Sequence, residues 1–205
     1  IPSIAEQKRI VAKLDDCFEA IDKARANVEK NLNNAKELFQ SKLNEIFNQK
    51  GEDRVEKKLG EVCEKITDGY HHTPTYTETG VPFLSVKNLT KGFMDFSDTR
   101  FISRKEHENL IKRCKPEIGD ILYTKVGTTG VAKVVDTKKE FSIFVSVALL
   151  KLNHDILFNH YLEHYLNAPI ARKQAQKRTR GMANKNLVIR DIKEIMIHFP
   201  QSIKE

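Results

Sequence analysis

The first fifty residues contain no proline or glycine between Ser3 and Gln49, and apolar residues recur there about every three and a half positions. This period predicts one continuous α-helix, on the order of 70 Å long at a rise of ~1.5 Å per residue. Its apolar stripe is narrow and the rest of its surface is polar, so the helix needs a partner helix. The residues expected to form the partner interface are Ile10, Leu14, Ile21, Val28, Leu32, Phe39, Leu43 and Ile46.

The net charge of +7 is unevenly distributed over the 205 residues. The first 50 residues hold nine Lys and Arg against eight Asp and Glu, so nearly all of the excess lies in the remaining chain. Residues 171–190 contain seven basic residues and no acidic one. This excess suits a polyanion, most often nucleic acid, and a solvated basic face without a partner explains it equally well.

Composition also bears on the compartment. No apolar run reaches the ~18 residues that a membrane-spanning helix requires, and the charged N-terminal segment is unlike a signal peptide. Three cysteines, Cys17, Cys63 and Cys114, are scattered without metal-ligand spacing. This pattern predicts reduced thiols in a cytoplasmic protein without a membrane partner.

The predicted fold class is α+β, with a coiled-coil-type helix over residues 1–50 and a mixed α/β domain over residues 51–205. Gly51, with Lys50 in the last turn, is expected to end the helix, and residues 52–58 are expected to form a charged connector. Residues 59–66 should be a short helical or extended segment. Strands are predicted at residues 83–86, 121–126, 131–135, 142–152 and 195–199, and helices at 103–113, 157–167 and 170–177.

Catalytic motifs are missing from the sequence: there is no phosphate-binding glycine loop, no nucleophile elbow and no amino-methyltransferase motif. His160 and His164 lie four residues apart on a predicted helix, where packing or solvation explains them better than a metal does. His71 lies in a loop close to Asp68. That carboxylate can cap its own loop, the loop can contact DNA, or His71 can be a base in a stand-alone nuclease or transferase. Neither a metal nor a cofactor is expected.

Several loops carry side chains suited to DNA. Arginine can bind guanine through two hydrogen bonds, asparagine can bind adenine in the same way, and small residues at a hairpin tip can approach a phosphate closely. The glycines at 127 and 130 are also explained by a simple hairpin turn. The candidate DNA-binding residues are Tyr70, His71, His72, Lys87, Asn88, Lys125, Thr128, Thr129, Arg178, Arg180, Asn184 and Lys185.

These segments, in this order, resemble one half of the specificity subunit of a type I restriction-modification enzyme. Residues 4–15 (IAEQKRIVAKLD) resemble the start of that family's spacer helix, and residues 67–74 (TDGYHHTP) resemble the opening of its target recognition domain. Residues 81–84, 119–122 and 181–187 are similar to later segments of the domain. Residues 200–205 echo residues 2–7 and would begin a second conserved region.

The resemblance implies a non-catalytic reader of double-stranded DNA. In that family two recognition domains each read half of a split site, two long helices pack antiparallel between them, and separate modification and restriction subunits dock on this scaffold. Only one domain and one helix are present here, so the chain is a fragment or half-length subunit, or two copies pair as an antiparallel homodimer. Pairing predicts an interrupted palindromic site. A coiled-coil interaction protein with incidental positive charge remains a further alternative.

Overall fold

The computed structural model describes residues 1–48, 54–182 and 185–200. The chain forms two compact units, Ile1–Lys42 and Leu43–Glu205. A single helix, α1 (Ile4–Asn48), provides the whole of the first unit from Ile4 onward and the first residues of the second. The predicted fold class, a long N-terminal helix followed by a mixed α/β domain, is confirmed. Lys50 and Gly51, where the helix was predicted to end, lie outside the described residues.

Helix α1 runs without interruption because no proline or glycine occurs within it. At its first turn the Ser3 hydroxyl accepts a hydrogen bond from the Glu6 amide at 3.3 Å. Seven of the eight residues predicted for the partner interface are 42–67% exposed. Leu43 is the exception, because it is buried in the hydrophobic core of the second unit. Its assignment to the partner interface was therefore wrong.

The last turns of α1 are anchored within the second unit by an aromatic side chain. Phe47 packs edge-on against the rings of Tyr161 and Tyr165, with centroid distances of 5.4 and 5.1 Å. The Arg54 guanidinium donates to the carbonyls of Ile46 and Phe47 near the helix end, at 2.9 and 3.3 Å. A cation at this position also compensates the negative end of the helix dipole.

The second unit contains ten strands and five further α-helices in its described part. The strands are β1 (Arg54–Lys58), β2 (Cys63–Asp68), β3 (Tyr76–Thr77), β4 (Val81–Leu84), β5 (Arg100–Ile102), β6 (Ile121–Thr124), β7 (Ala132–Val134), β8 (Ser142–Ile143), β9 (Val147–Leu152) and β10 (Met196–Pro200). The helices are α2 (Leu59–Val62), α3 (Arg104–Leu110), α4 (Asn159–Asn167), α5 (Pro169–Arg178) and α6 (Ile189–Lys193).

Two four-stranded sheets form the centre of this unit. One has the order β2-β9-β6-β7 and is antiparallel throughout. The other has the order β3-β5-β4-β8, in which only the β4–β8 pair is parallel. Strand β9 is buried along most of its length, since one of its faces contributes to the main core and the other to a second cluster. Helices α4 and α5 cover the main core.

A separate two-stranded sheet pairs β1 with β10, with Arg54 opposite Pro200 and Lys58 opposite Met196. Residues 54–58 were predicted to be a connector, and this prediction was wrong. Val55 is the one apolar residue among these five, so the segment has no strand-like pattern, and its partner strand lies some 140 residues further along the chain. Ordinary sequence periodicity cannot identify such a pairing.

Other segments differ from prediction in detail. Residues 142–152 form two strands separated by a turn instead of one strand, and α6 was not predicted. Ser103 begins α3 as expected, its hydroxyl accepting a hydrogen bond from the Glu106 amide at 3.2 Å, although the helix ends at Leu110. Within the described residues, no helix is long and apolar enough to cross a membrane.

Candidate nucleic-acid interface

The loops that carry most of the candidate DNA-binding residues converge on one short segment, residues 143–146. The loop after β2, the loop after β4 and the end of β6 each bond to it. These bonds join Tyr70 N to Ile143 O (2.9 Å), Phe144 N to Leu84 O (2.8 Å), Val86 N to Ser146 Oγ (3.1 Å) and Lys125 N to Ser146 O (2.9 Å). The structure therefore brings together residues as far apart along the chain as Tyr70 and Ile143.

The hairpin tip between β6 and β7 is joined to the basic loop that follows α5. The Gly127 amide donates to the Lys185 carbonyl at 2.9 Å, and the Leu187 amide donates to the Lys125 carbonyl at 2.7 Å. Arg180 and Asn186 exchange two backbone hydrogen bonds at 2.9 and 2.8 Å, which closes the loop on itself. The tip and the basic loop thus form a single cationic assembly, as expected for a surface that faces a polyanion.

The side chains of three basic residues near the His71 loop bond to one carboxylate, that of Asp68. Its buried carboxylate accepts bonds from Arg113 (2.6 Å), His71 (2.9 Å) and Lys125 (3.2 Å). Burial raises the pKa of this carboxyl, but hydrogen bonds from His71, Lys125 and Arg113 outweigh it, and the net pKa is lowered. Asp68 therefore holds two loops and the end of β6 together.

Lys125 is consequently not a free cation at the surface. Only 6% of its side chain is exposed, and its ammonium group is paired with the equally buried Asp68. A lysine in this position cannot reach a DNA phosphate without breaking the pair. Its burial argues against the prediction that it binds DNA, and the sequence could not reveal this because the carboxylate that pairs with it lies in a distant part of the chain.

Asn88 is also internal. Its amide nitrogen donates to the carbonyls of Asp95 and Asp98, at 2.9 and 3.1 Å, and its amide oxygen accepts from the Ser85 backbone at 2.9 Å. With these bonds made and the residue only 2% exposed, Asn88 cannot bind a base edge. Its neighbour Lys87 is half-exposed and makes a surface ion pair with Asp98.

The basic residues at the end of α5 and after it differ in their exposure and in the bonds that they already make. Arg178 donates to the carbonyls of Gln174 and Glu194, at 3.3 and 3.1 Å, so it serves to close the C-terminal end of α5. Arg180 is exposed and makes a 3.3 Å contact with Asp191. Lys185 is exposed, and Asn184 lies outside the described residues. Arg180 and Lys185 are thus better placed than Arg178 to reach a ligand.

The Tyr70–His72 loop borders a cavity of 310 Å³, which it shares with the end of α3. His71 and His72 are exposed, and the Tyr70 and His72 rings meet edge-on at 5.6 Å. On the cavity wall the Ser142 hydroxyl lies 2.8 Å from Nδ1 of the buried His107. Burial lowers the pKa of His107, which keeps the ring neutral within the core.

His160, one of the two histidines considered as metal ligands, has a carboxylate partner. His160 lies 3.1 Å from the Glu163 carboxylate, and that carboxylate is paired in turn with Lys133. Among the described residues, no group of three or more His, Cys, Asp or Glu side chains is arranged to hold a metal ion.

Two cations that sequence reasoning missed lie close to this surface. Arg113 holds Asp68, and Arg100 lies over the Tyr76 ring with its guanidinium carbon 4.4 Å from the centroid. The partners of both residues are distant in sequence, so no local pattern could have identified them.

Comparison with known proteins identifies the family. The model of the type I restriction modification DNA specificity domain matches residues 51–205, so the chain belongs to this family. The chain is 27% identical over 220 residues to the type I restriction enzyme EcoKI specificity subunit of Escherichia coli strain K12, with 98% of this chain and 46% of that protein covered.

Solved structures show the same fold. One is a chain from the complex-assembly and conformational-transition study of a type I R-M system, with a TM-score of 0.67 and 22% identity over 98% of this chain and 48% of that chain. Another is the HsdS subunit from Thermoanaerobacter tengcongensis, with a TM-score of 0.57 and 23% identity over the same shares. The chain spans about half the length of these relatives. The predicted family is thus confirmed, and the alternative of a stand-alone enzyme is not favoured.

Proposed function

We propose that this chain recognises a specific sequence of double-stranded DNA and reads one half of a bipartite site for a type I restriction-modification system. The observation that carries the proposal is the family match over residues 51–205, which spans the cationic assembly of hairpin tip and basic loop. In this proposal the chain performs no catalytic step. Separate modification and restriction subunits, bound to it as a scaffold, act on the DNA in the cytoplasm.

The proposed DNA-binding set follows from exposure and from the bonds already made. Arg178, Lys125 and Asn88 are omitted, since protein groups occupy their polar atoms. The described residues that remain are Tyr70, His71, His72, Lys87, Thr128, Thr129, Arg180 and Lys185, and Asn184, which lies outside the described residues, is kept on its sequence alone. Arg180 is the strongest candidate for a base contact, because its exposed guanidinium can form two parallel hydrogen bonds to guanine.

The long helix is proposed to pack antiparallel against a second copy or a second half of the subunit. Its exposed stripe of Ile10, Leu14, Ile21, Val28, Leu32, Phe39 and Ile46 supports this proposal, and Phe18 adds an exposed aromatic side chain nearby. Residues 1–50 are then the spacer, residues 51–205 the recognition domain, and residues 200–205 the start of a second spacer region. A two-fold homodimer requires a split palindromic site.

The test combines solution mass with selection of bound sequences from a random pool of DNA duplexes, using the 205-residue chain. The expected result is a dimer that enriches an interrupted palindrome, with log affinity falling linearly as log salt concentration rises. Arg180→Ala should weaken binding and relax the preference at one base position; uniform weakening across all sequences would indicate a phosphate contact instead. A chain that selects no sequence from the pool at low salt would refute the proposal.

A matched control is Lys138→Ala. It removes the same charge, but Lys138 lies in the loop after β7. This loop follows the end of the β6–β7 hairpin that is opposite the tip, which is the end at which Val134 pairs with Ile121. This variant should bind the selected duplex as the unaltered chain does. An equal loss in Lys138→Ala and Arg180→Ala would indicate only general charge attraction.

A further inference from the structure

A cleft of 380 Å³ lies between the hairpin tip, α5 and the basic loop. Within the described part of the chain, its lining contains two cations, Arg172 and Lys185, and no carboxylate. The remaining lining consists of threonines, a glutamine and glycines, which leaves hydroxyl and amide groups at the wall. A concave surface with cations and neutral donors but no acid suits an anionic ligand.

Arg172 is the unusual member of this cleft. Its guanidinium is partly buried, and burial lowers its pKa, so the surroundings disfavour the charge that it carries. Among the described residues it has no carboxylate partner within ion-pair distance. Its one side-chain hydrogen bond within that part of the chain runs from Nη2 to Oδ1 of Asn167 at 3.0 Å. Arginines placed this deeply are normally paired with an anion.

The bond to Asn167 holds one nitrogen of the Arg172 guanidinium in place. The Asn167 side chain donates to the carbonyls of Ala132 and Glu163, at 2.8 and 2.9 Å, and accepts from the Ala132 amide at 3.1 Å. Asn167 is thus tied to strand β7 and to its own helix, and its orientation is set. A guanidinium has five N–H donors, and only one of them is used by Asn167, so donors remain for a ligand.

The threonines on the two walls are in contact across the cleft. The Thr179 hydroxyl donates to the Ala175 carbonyl at 2.8 Å, so it can only accept from Thr129, whose hydroxyl lies 3.1 Å away. This bond joins the hairpin tip to the end of α5. Thr128, one residue earlier, is exposed at the rim, and Lys185 is exposed on the basic loop.

We propose that this cleft holds one backbone phosphate of duplex DNA, with Arg172 as the anchoring donor and Thr128 and Lys185 as donors from the rim. The inference rests on the proposed function and adds Arg172, which is not among the predicted DNA-binding residues, to the residues that contact DNA. Arginine binds phosphate through two parallel hydrogen bonds, which Lys185 as a point charge cannot do. Phosphate contacts fix the register of the protein on the duplex, so Arg172 positions the reading loops without itself reading sequence.

The test is a scan in which each phosphate of the selected duplex is replaced singly by an uncharged methylphosphonate. Binding is measured for the unaltered chain, for Arg172→Gln and for the control Lys138→Ala. The expected result is that one methylphosphonate lowers the affinity of the unaltered chain on the order of tenfold. Arg172→Gln should lose a similar factor on the unmodified duplex, lose nothing more at that phosphate, and show a salt slope smaller by about one.

A merely structural role for Arg172 would give a different pattern, because Arg172→Gln would then respond to methylphosphonates at the same positions as the unaltered chain. That outcome overturns the inference while sequence selection, and with it the proposed function, still stands. If Arg172→Gln does not fold, Lys185→Ala and Thr128→Val take its place, since their side chains make no bond in the described structure. The inference would then be overturned if both variants lost affinity at every methylphosphonate position at which the unaltered chain loses affinity.

Discussion

Removing the Asp68 carboxylate should destabilise the second unit strongly, because it leaves a buried ammonium group without a counter-ion. The side chains of Asp68 and Lys125 are 8% and 6% exposed, and their charged atoms lie 3.2 Å apart. Breaking a buried pair by removing one partner costs about 3–5 kcal/mol. The bonds to Arg113 and His71 add little, since both side chains are about half-exposed and surface pairs are worth roughly 0.2–1 kcal/mol.

The variant Asp68→Asn keeps the size of the side chain and removes its charge. At about 3 kcal/mol, the midpoint of thermal unfolding should fall by roughly 6–12 °C for a chain of this size. The assay is urea unfolding of the single variants Asp68→Asn and Lys125→Met and of the double variant, from which the coupling free energy is obtained. Replacing both partners should cost much less than replacing Asp68 alone.

The pH dependence provides an independent measurement on the same carboxyl. Its pKa is lower in the folded protein than its ordinary value of 3.8. The stability that it contributes is therefore fully present above that value and is lost as the pH falls through the folded pKa. Asp68→Asn should lack this part of the acid transition. The reasoning is refuted if Asp68→Asn unfolds at the same urea concentration as the unaltered chain, or costs the same in the Lys125→Met background.

Three further predictions concern stability. Phe47→Ala should cost about 3–5 kcal/mol through loss of core packing, whereas the exposed Phe93→Ala should change the urea midpoint little; equal effects would exclude Phe47 from the core. Burial lowers the pKa of His107 from 6.5, so the free energy of unfolding should fall as the pH drops below 6.5 towards the folded pKa. Urea titrations at a series of pH values should show this slope in the unaltered chain and not in His107→Gln. Gly130→Ala should destabilise the protein more than Gly92→Ala in thermal unfolding. Both glycines have a positive φ, but of these two only Gly130 has a neighbour that the new Cβ would meet, the Ala175 Cβ at 3.3 Å. Equal losses would mean that backbone strain alone decides the cost.

Local sequence patterns predicted the elements whose causes are local. The long helix follows from apolar periodicity without proline or glycine, and the start of α3 follows from the Ser103 cap. The hairpin at residues 121–135 follows from β-branched runs around two glycines. Each of these signals is contained in a few neighbouring residues, so the sequence alone reveals it.

Features that depend on distant partners could not be predicted in this way. Lys125 looks like a surface cation until Asp68, 57 positions earlier, is placed beside it. Leu43 has the helical phase of the exposed stripe, yet the core of the second unit covers it. Arg172 was only one of seven basic residues in its segment, and nothing local reveals that it is partly buried and has no acidic partner among the described residues.

The pairing of β1 with β10 has a consequence for how such a domain can be exchanged. Neighbouring strands lie ~4.8 Å apart, so the polypeptide enters this region and leaves it at nearly the same point. The residues between Leu59 and Ile195 can thus be exchanged as one insert, provided that the new insert returns to the same two strands and packs against Phe47 as Tyr161 and Tyr165 do. Inserts of different lengths would leave the same short distance between β1 and β10.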